Sequence, residues 1–183
     1  ATGKQVMFAR VKSCQGRLTA ANQVTYADAF DGIKADVRYT YRKHNFEQDV
    51  ILREAVDPVD YGLNPRGTAL QVFTEYVEYP GKGDGQVPGG KTNAFAGAVR
   101  KGGADCGEHL SLGSVRFGRG FAFVDGEEQA LKGMPPDGMP MFKRLERREG
   151  RDFLVESVTY LRLKPMLEQL PRKVAVKEGA ATN

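Results

Sequence analysis

The sequence predicts an all-β fold, an antiparallel β-sandwich or related two-sheet packing with one short C-terminal helix. Apolar residues alternate with polar ones at period 2 through most of the chain, the spacing of strands with one covered face. Gly, Pro, Asn and Asp interrupt these runs at Asp31-Gly32, Asn64-Pro65, Pro80-Gly81 and Asp125-Gly126. The 183 residues include 22 glycines, well above the average of roughly 7%, as many turns between short strands require.

In chain order, alternation predicts strands at 5–12, 17–20 and 23–26. A hairpin follows, from Asp36 to Lys43 and from Phe46 to Glu54, turning at His44-Asn45. That register sets Val37 opposite Leu52, Tyr39 opposite Val50 and Tyr41 opposite Gln48 on an apolar face. It sets Arg42 opposite Glu47 and Asp36 opposite Arg53 on a charge-matched face. Further strands are expected at 69–78, 94–100, 114–117, 121–124 and 153–161, and a short helix at 165–170, opened by Pro165 and closed by Pro171. Segments 80–93 and 133–140, rich in Gly and Pro, read as long loops. Residues 1–176 are expected to form a single β domain, with 177–183 a polar tail.

Composition excludes several classes. Hydrophobic residues make up 40% and charged residues 27%, a balance that excludes a disordered chain. No apolar run approaches the roughly 20 residues of a membrane helix, so no membrane insertion is expected. A net charge of +4 is too small to argue for a polyanion, and no nucleic-acid partner is expected. The N-terminal residues Ala1 to Phe8 carry neither an initiator Met nor a signal-peptide apolar region, which reads as a processed chain or an excised domain. Cys14 and Cys106 are compatible with a disulfide closing a long loop, worth about 4–5 kcal/mol in the chain-entropy model, and equally with two reduced thiols.

The sharpest motif is Gly85-Gln86-Val87-Pro88-Gly89-Gly90-Lys91-Thr92, a letter-for-letter match to the phosphate-binding loop, followed by a Walker-B-like run from Phe121 to Asp125. Its context opposes nucleotide binding. A phosphate loop leaves a buried strand and opens a helix, whereas Pro80 to Asp84 intervene before it and residues 93–99 alternate like a strand. Cys106-Gly107-Glu108-His109 has ligand-like spacing but lacks the second pair that a zinc site needs, so no metal and no cofactor is expected. With His44 and His109 the only histidines, a nucleophile–base–orienter arrangement has few places to form, and no catalytic residue is assigned. Glu47 and Asp49, about 7 Å apart on one strand face, match a glycosidase carboxylate pair only in distance. The hairpin register makes them members of a charge-balanced, solvated face with Arg38 and Arg42. The stretch from Lys143 to Arg151 holds five basic and two acidic residues, without the interleaved aromatics of a single-strand nucleic-acid binder.

The stretch Val24 to Tyr41, with its Tyr26-Ala27-Asp28-Ala29-Phe30-Asp31-Gly32-Ile33-Lys34-Ala35-Asp36 core, and the later Glu47-Gln48-Asp49-Val50-Ile51-Leu52, carry a resemblance. So do Tyr61 to Pro65, Leu70 to Glu75, Gly118 to Phe123 and Gly150 to Val158. Over roughly 5–171 the chain resembles the non-repetitive N-terminal β domain of large secreted bacterial RHS/YD-repeat proteins. The resemblance implies a non-enzymatic structural or adhesion domain of an exported, secreted or cell-surface bacterial protein, with neighbouring domains of a larger polypeptide as partners. It brings no catalytic residue, and the chain departs from that architecture in having no repeat array. The alternative is a carbohydrate- or peptide-binding β-sandwich module, with Tyr76 and Tyr79 as candidate contacts to a glycan or protein ligand. Nucleotide binding at Gly85 to Thr92 is the remote third reading.

Overall fold

The computed structural model describes residues 3–43, 45–77, 110–112, 115–124 and 138–172. It is mostly antiparallel β-sheet with one α-helix, the all-β class that the alternation predicts. The chain divides into two compact units. The first comprises Ala1–Pro65 and Lys164–Asn183, and the second Arg66–Leu163.

In the first unit, β1 (Arg10–Val11) pairs with β4 (Phe30–Asp31). Strands β2 (Gly16–Ala20), β3 (Gln23–Tyr26), β5 (Ala35–Arg42) and β6 (Asn45–Leu52) form a four-stranded sheet in that order. The predicted strand at 5–12 shrinks to β1, and β4 was not expected. Both belong to a loop folded on its own backbone: Lys12 N–H donates to the Ala29 carbonyl at 3.0 Å, and Ala29 N–H to that of Ala35 at 2.8 Å. Gly32 closes the loop with φ +84°, its Cα so near Phe8 that a Cβ would lie 2.3 Å from the Phe8 carbonyl oxygen.

The predicted β5–β6 hairpin exists, but its register is two residues from expectation. Val37 faces Val50, Arg38 faces Asp49, Tyr39 faces Gln48 and Tyr41 faces Phe46, with Arg42 and Asn45 closing the turn. Asn45 is therefore the first residue of β6, paired with Arg42, and not part of the turn. A two-residue slip preserves which side chains share a face, and Arg reaches a diagonal neighbour as readily as an opposed one. Hence Arg42–Glu47 (3.3 Å) and Arg53–Asp36 (2.8 Å) both persist as diagonals. Charge matching could not separate the two registers.

In the second unit, β7 (Ala69–Tyr76), β10 (Gly120–Ala122), β11 (Met139–Arg148) and β12 (Arg151–Thr159) form a sheet ordered β10-β11-β12-β7. Strands β8 (Leu110–Leu112) and β9 (Val115–Phe117) pair with each other. Central strand β12 supplies the core, with Leu154, Val155 and Val158 buried beside Leu145 of β11.

The longest strand, β11, was not anticipated. Its N-terminal residues Met139 and Pro140 fell in the expected loop 133–140, and its C-terminal half was read as a basic cluster. Pro140 is tolerated because it faces only Phe121 of β10, ahead of the stretch that pairs with β12 from Phe142 onward. The charges are tolerated because β12 and β7 answer them. Lys143 meets Glu156 at 2.8 Å, Arg147 meets Asp152, and Arg151 meets Glu75. The β11–β12 turn, Glu149-Gly150, has positive φ at both residues (+49° and +77°), the twist of a tight hairpin.

The expected strand at 153–161 ends at Thr159, and the helix begins at once: α1 is Tyr160–Leu167, not 165–170. Tyr160 N–H donates to the Thr68 carbonyl at 2.9 Å, the last rung of the β12–β7 register. Tyr160, Leu163 and Leu167, one face at helical spacing, are buried. Pro165 lies inside the helix rather than at its start. The carbonyl it leaves without an intrahelical donor is that of Leu161, on the exposed side where water can reach it.

Candidate functional site

The four-stranded sheet of the first unit has two faces of opposite character. On one, β5 places Asp36, Arg38 and Thr40, all buried despite their polarity. Asp36 accepts from Asp28 N–H (2.9 Å) and Arg53 Nε (2.8 Å), Arg38 Nε donates to Asp49 (3.1 Å), and Gln23 donates to Thr40 Oγ1 (3.2 Å). The side chains of Arg38 and Asp49 are only 11% and 25% exposed. This corrects the expectation of a solvated face: it is charge-balanced, but Asp36, Arg38 and Thr40 are buried. Glu47 and Asp49 serve Arg42 and Arg38 there.

The other face is apolar. The registers set one row of Leu18, Val24, Tyr39 and Gln48 across four strands, and a second row of Gly16, Tyr26, Val37 and Val50. Beyond them Tyr41 faces Phe46. Tyr39 is the hub, stacked on Phe46 (centroids 5.2 Å, planes 23° apart) and edge-on to Tyr26 (6.0 Å). Gly16 makes room for the Tyr26 ring, whose atoms would lie 2.8 Å from any Cβ at that position. Burial, then the neighbouring Tyr26, pushes the Tyr39 hydroxyl above its ordinary value. The inner end of this face is buried through Ala35 and Val37, but toward the hairpin turns it lies open. Leu18 is 78% exposed, Tyr41 65% and Phe46 63%. Large apolar side chains are thus gathered at the open end of one sheet face.

The sequence had placed Val37, Tyr39 and Tyr41 together with Leu52, Val50 and Gln48. Phe46 follows from the same hairpin phase, whereas Leu18 and Tyr26 and the open turn end do not, because nothing in the chain shows that β3 and β2 line up beside β5.

Of the candidate contacts, Tyr76 is half-buried at the end of β7 in the second unit, opposite Asp152. Tyr79, the glycine loop from Gly85 to Thr92, the strand at 94–100, Cys106, His109, Asp125 and His44 lie outside the described residues. Cys14 is a free, half-buried thiol. Among the described residues no cluster of His, Cys, Asp or Glu is placed to hold a metal ion, and no helix is long and apolar enough to cross a membrane. The basic cluster gains aromatics that its own sequence lacks: Arg148 lies over Phe73 (4.7 Å) and Arg151 over Phe153 (5.2 Å), rings supplied by β7 and β12. Each of these guanidinium groups also binds a carboxylate, Arg148 to Glu146 and Arg151 to Glu75, so the patch is close to neutral.

The chain matches no family model, no curated protein and no solved structure.

Proposed function

We propose that this chain is a non-catalytic β module, structural or adhesive, of an exported bacterial surface protein, and that it packs its aromatic sheet face against a neighbouring domain of a larger polypeptide. The observation that carries this is the open apolar surface of Leu18, Tyr41 and Phe46 around Tyr39. The contrast between the faces supports it. The polar face satisfies its charges internally, whereas burial of the exposed apolar side chains would contribute about 25 cal/mol for each Å² removed from water. The likeness of the Tyr26–Asp36 and Glu47–Leu52 stretches to secreted repeat-protein domains supports the exported, surface setting.

Photo-cross-linking in the full-length polypeptide tests the proposal. Benzoylphenylalanine at position 46 is expected to capture a neighbouring domain, and the same probe at position 42, on the opposite face, is not. Equal capture at both positions, or none at 46, would overturn it.

The adjacent open rings of Tyr41 and Phe46 favour a second reading, stacking of a carbohydrate or an extended peptide. Saturable binding on a glycan array, lost in Tyr41→Ala, would replace domain packing with sugar recognition.

A further inference from the structure

The first unit's four-stranded sheet ends at β2, which pairs only with β3 among the described residues. The ladder decides which of its backbone groups face outward. Tyr41 N–H donates to the Asn22 carbonyl at 2.9 Å. By antiparallel alternation, Val24 and Tyr26 then turn their backbone groups toward β5, and Gln23 and Thr25 toward β2. Arg17, opposite Thr25, bonds inward, and Gly16 and Leu18 present N–H and C=O groups at the open edge. The outward-bonding Leu18 also carries the most exposed large apolar side chain among the described residues, at 78%. An open edge of this kind is a template for another strand.

We propose that β2 pairs antiparallel with β2 of a second copy about a two-fold axis at Leu18. That register opposes no like charges and keeps like faces on one side. Leu18 meets Leu18 and Arg17 meets Thr19, and the pairing ends there because Ala20, opposite Gln23, bonds inward. Centring on Arg17 would set two guanidinium groups face to face, and Arg17 already bonds inward. Centring on Thr19 falls on the register shift between Leu18 and Ala20. Centring between residues would set the apolar face of one copy beside the polar face of the other. The Leu18 axis instead joins the two aromatic faces into one continuous apolar surface. The bulge beyond Leu18 adds twist and keeps the pairing short, far below the roughly 1,000 Å² of a stable interface, so the dimer is weak and concentration-dependent.

Sedimentation equilibrium of the full chain, up to roughly 1 mM, tests this. The wild type is expected to form dimers. Leu18→Lys and Leu18→Glu are each expected to associate at least ~10-fold more weakly, and their equimolar mixture to recover the dimer, because the axis opposes position 18 to itself. Phe46→Ser, which alters the aromatic face and not the edge, is expected to leave the dimer intact. A monomeric wild type, association indifferent to Leu18, failure of the mixture to recover, or loss of the dimer in Phe46→Ser would each overturn edge pairing. The cross-linking outcome at position 46 is independent of all of these.

Discussion

Arg147 on β11 lies directly opposite Asp152 on β12 and holds it at two points, Nε to Oδ1 at 2.6 Å and Nη2 to Oδ2 at 3.0 Å. The Asp152 side chain has no solvent exposure, whereas that of Arg147 is 49% exposed. The carboxylate is thus desolvated and depends on its partners, while the guanidinium keeps contact with water. Arg147→Ala is expected to cost about 3 kcal/mol, because it removes the two-point partner of a buried charge. The double change Arg147→Met with Asp152→Leu, which removes both charges, is expected to cost much less. Urea denaturation of the three chains checks the ordering.

Glu146 sits between Arg144 and Arg148 on the same strand. Burial pushes its carboxyl up, but hydrogen bonds from Arg148 and Arg144, with their charges, outweigh burial and hold it below its ordinary value. A carboxylate depressed in the folded state contributes stability above its unfolded value, and that contribution is lost as pH falls through the folded one. Glu146→Gln is therefore expected to unfold at lower urea than the wild type at pH 7. The gap should close as the pH drops below the ordinary carboxylate range. A gap constant from pH 7 to pH 2 would show that the carboxylate charge is not its origin.

Two glycines make a matched pair. Gly32 has φ +84° and faces the Phe8 carbonyl, whereas a Cβ on Gly67 would meet nothing within 4 Å. Gly32→Ala is expected to lose about 2 kcal/mol from strain and clash, and Gly67→Ala to stay within about 0.5 kcal/mol of the wild type. Thermal unfolding of the two variants tests the placement of the loop that carries β4.

The β5–β6 register has its own test. Arg38 and Asp49 are directly opposed and largely covered, whereas Arg42 and Glu47 are diagonal, with side chains 49% and 41% exposed. Double-mutant cycles are expected to give a coupling of about 1–2 kcal/mol for the first pair and no more than about 0.5 kcal/mol for the second. The register predicted from charge matching, with Arg42 opposed to Glu47, would reverse that order.

Alternation was enough to find the short strands: Gln23–Tyr26 coincides with its expected bounds, and the expected 17–20 and 69–78 differ from β2 and β7 by no more than two residues at either end. It failed at β11, because Lys143, Arg144, Arg147 and Arg148 read as solvated charge until Glu156 and Asp152 are brought beside them. It failed at α1 because Tyr160 continues the strand's phase in sequence, and even its bond to the Thr68 carbonyl extends the β12–β7 register by one step. At β5–β6, face membership repeats every two residues while register does not, so the sequence specified the faces and left a two-residue ambiguity that only the strand pairing resolves.

The same division applies to the candidate site. That Val37, Tyr39 and Tyr41 share a face follows from local backbone geometry, and the sequence alone decides it. That Leu18 and Tyr26 extend this face, that it lies open at the turn end, and that β2 stands at the sheet edge among the described strands were decided by tertiary structure alone. Exposure and edge position depend on which distant strands pair, and strand pairing is a non-local choice.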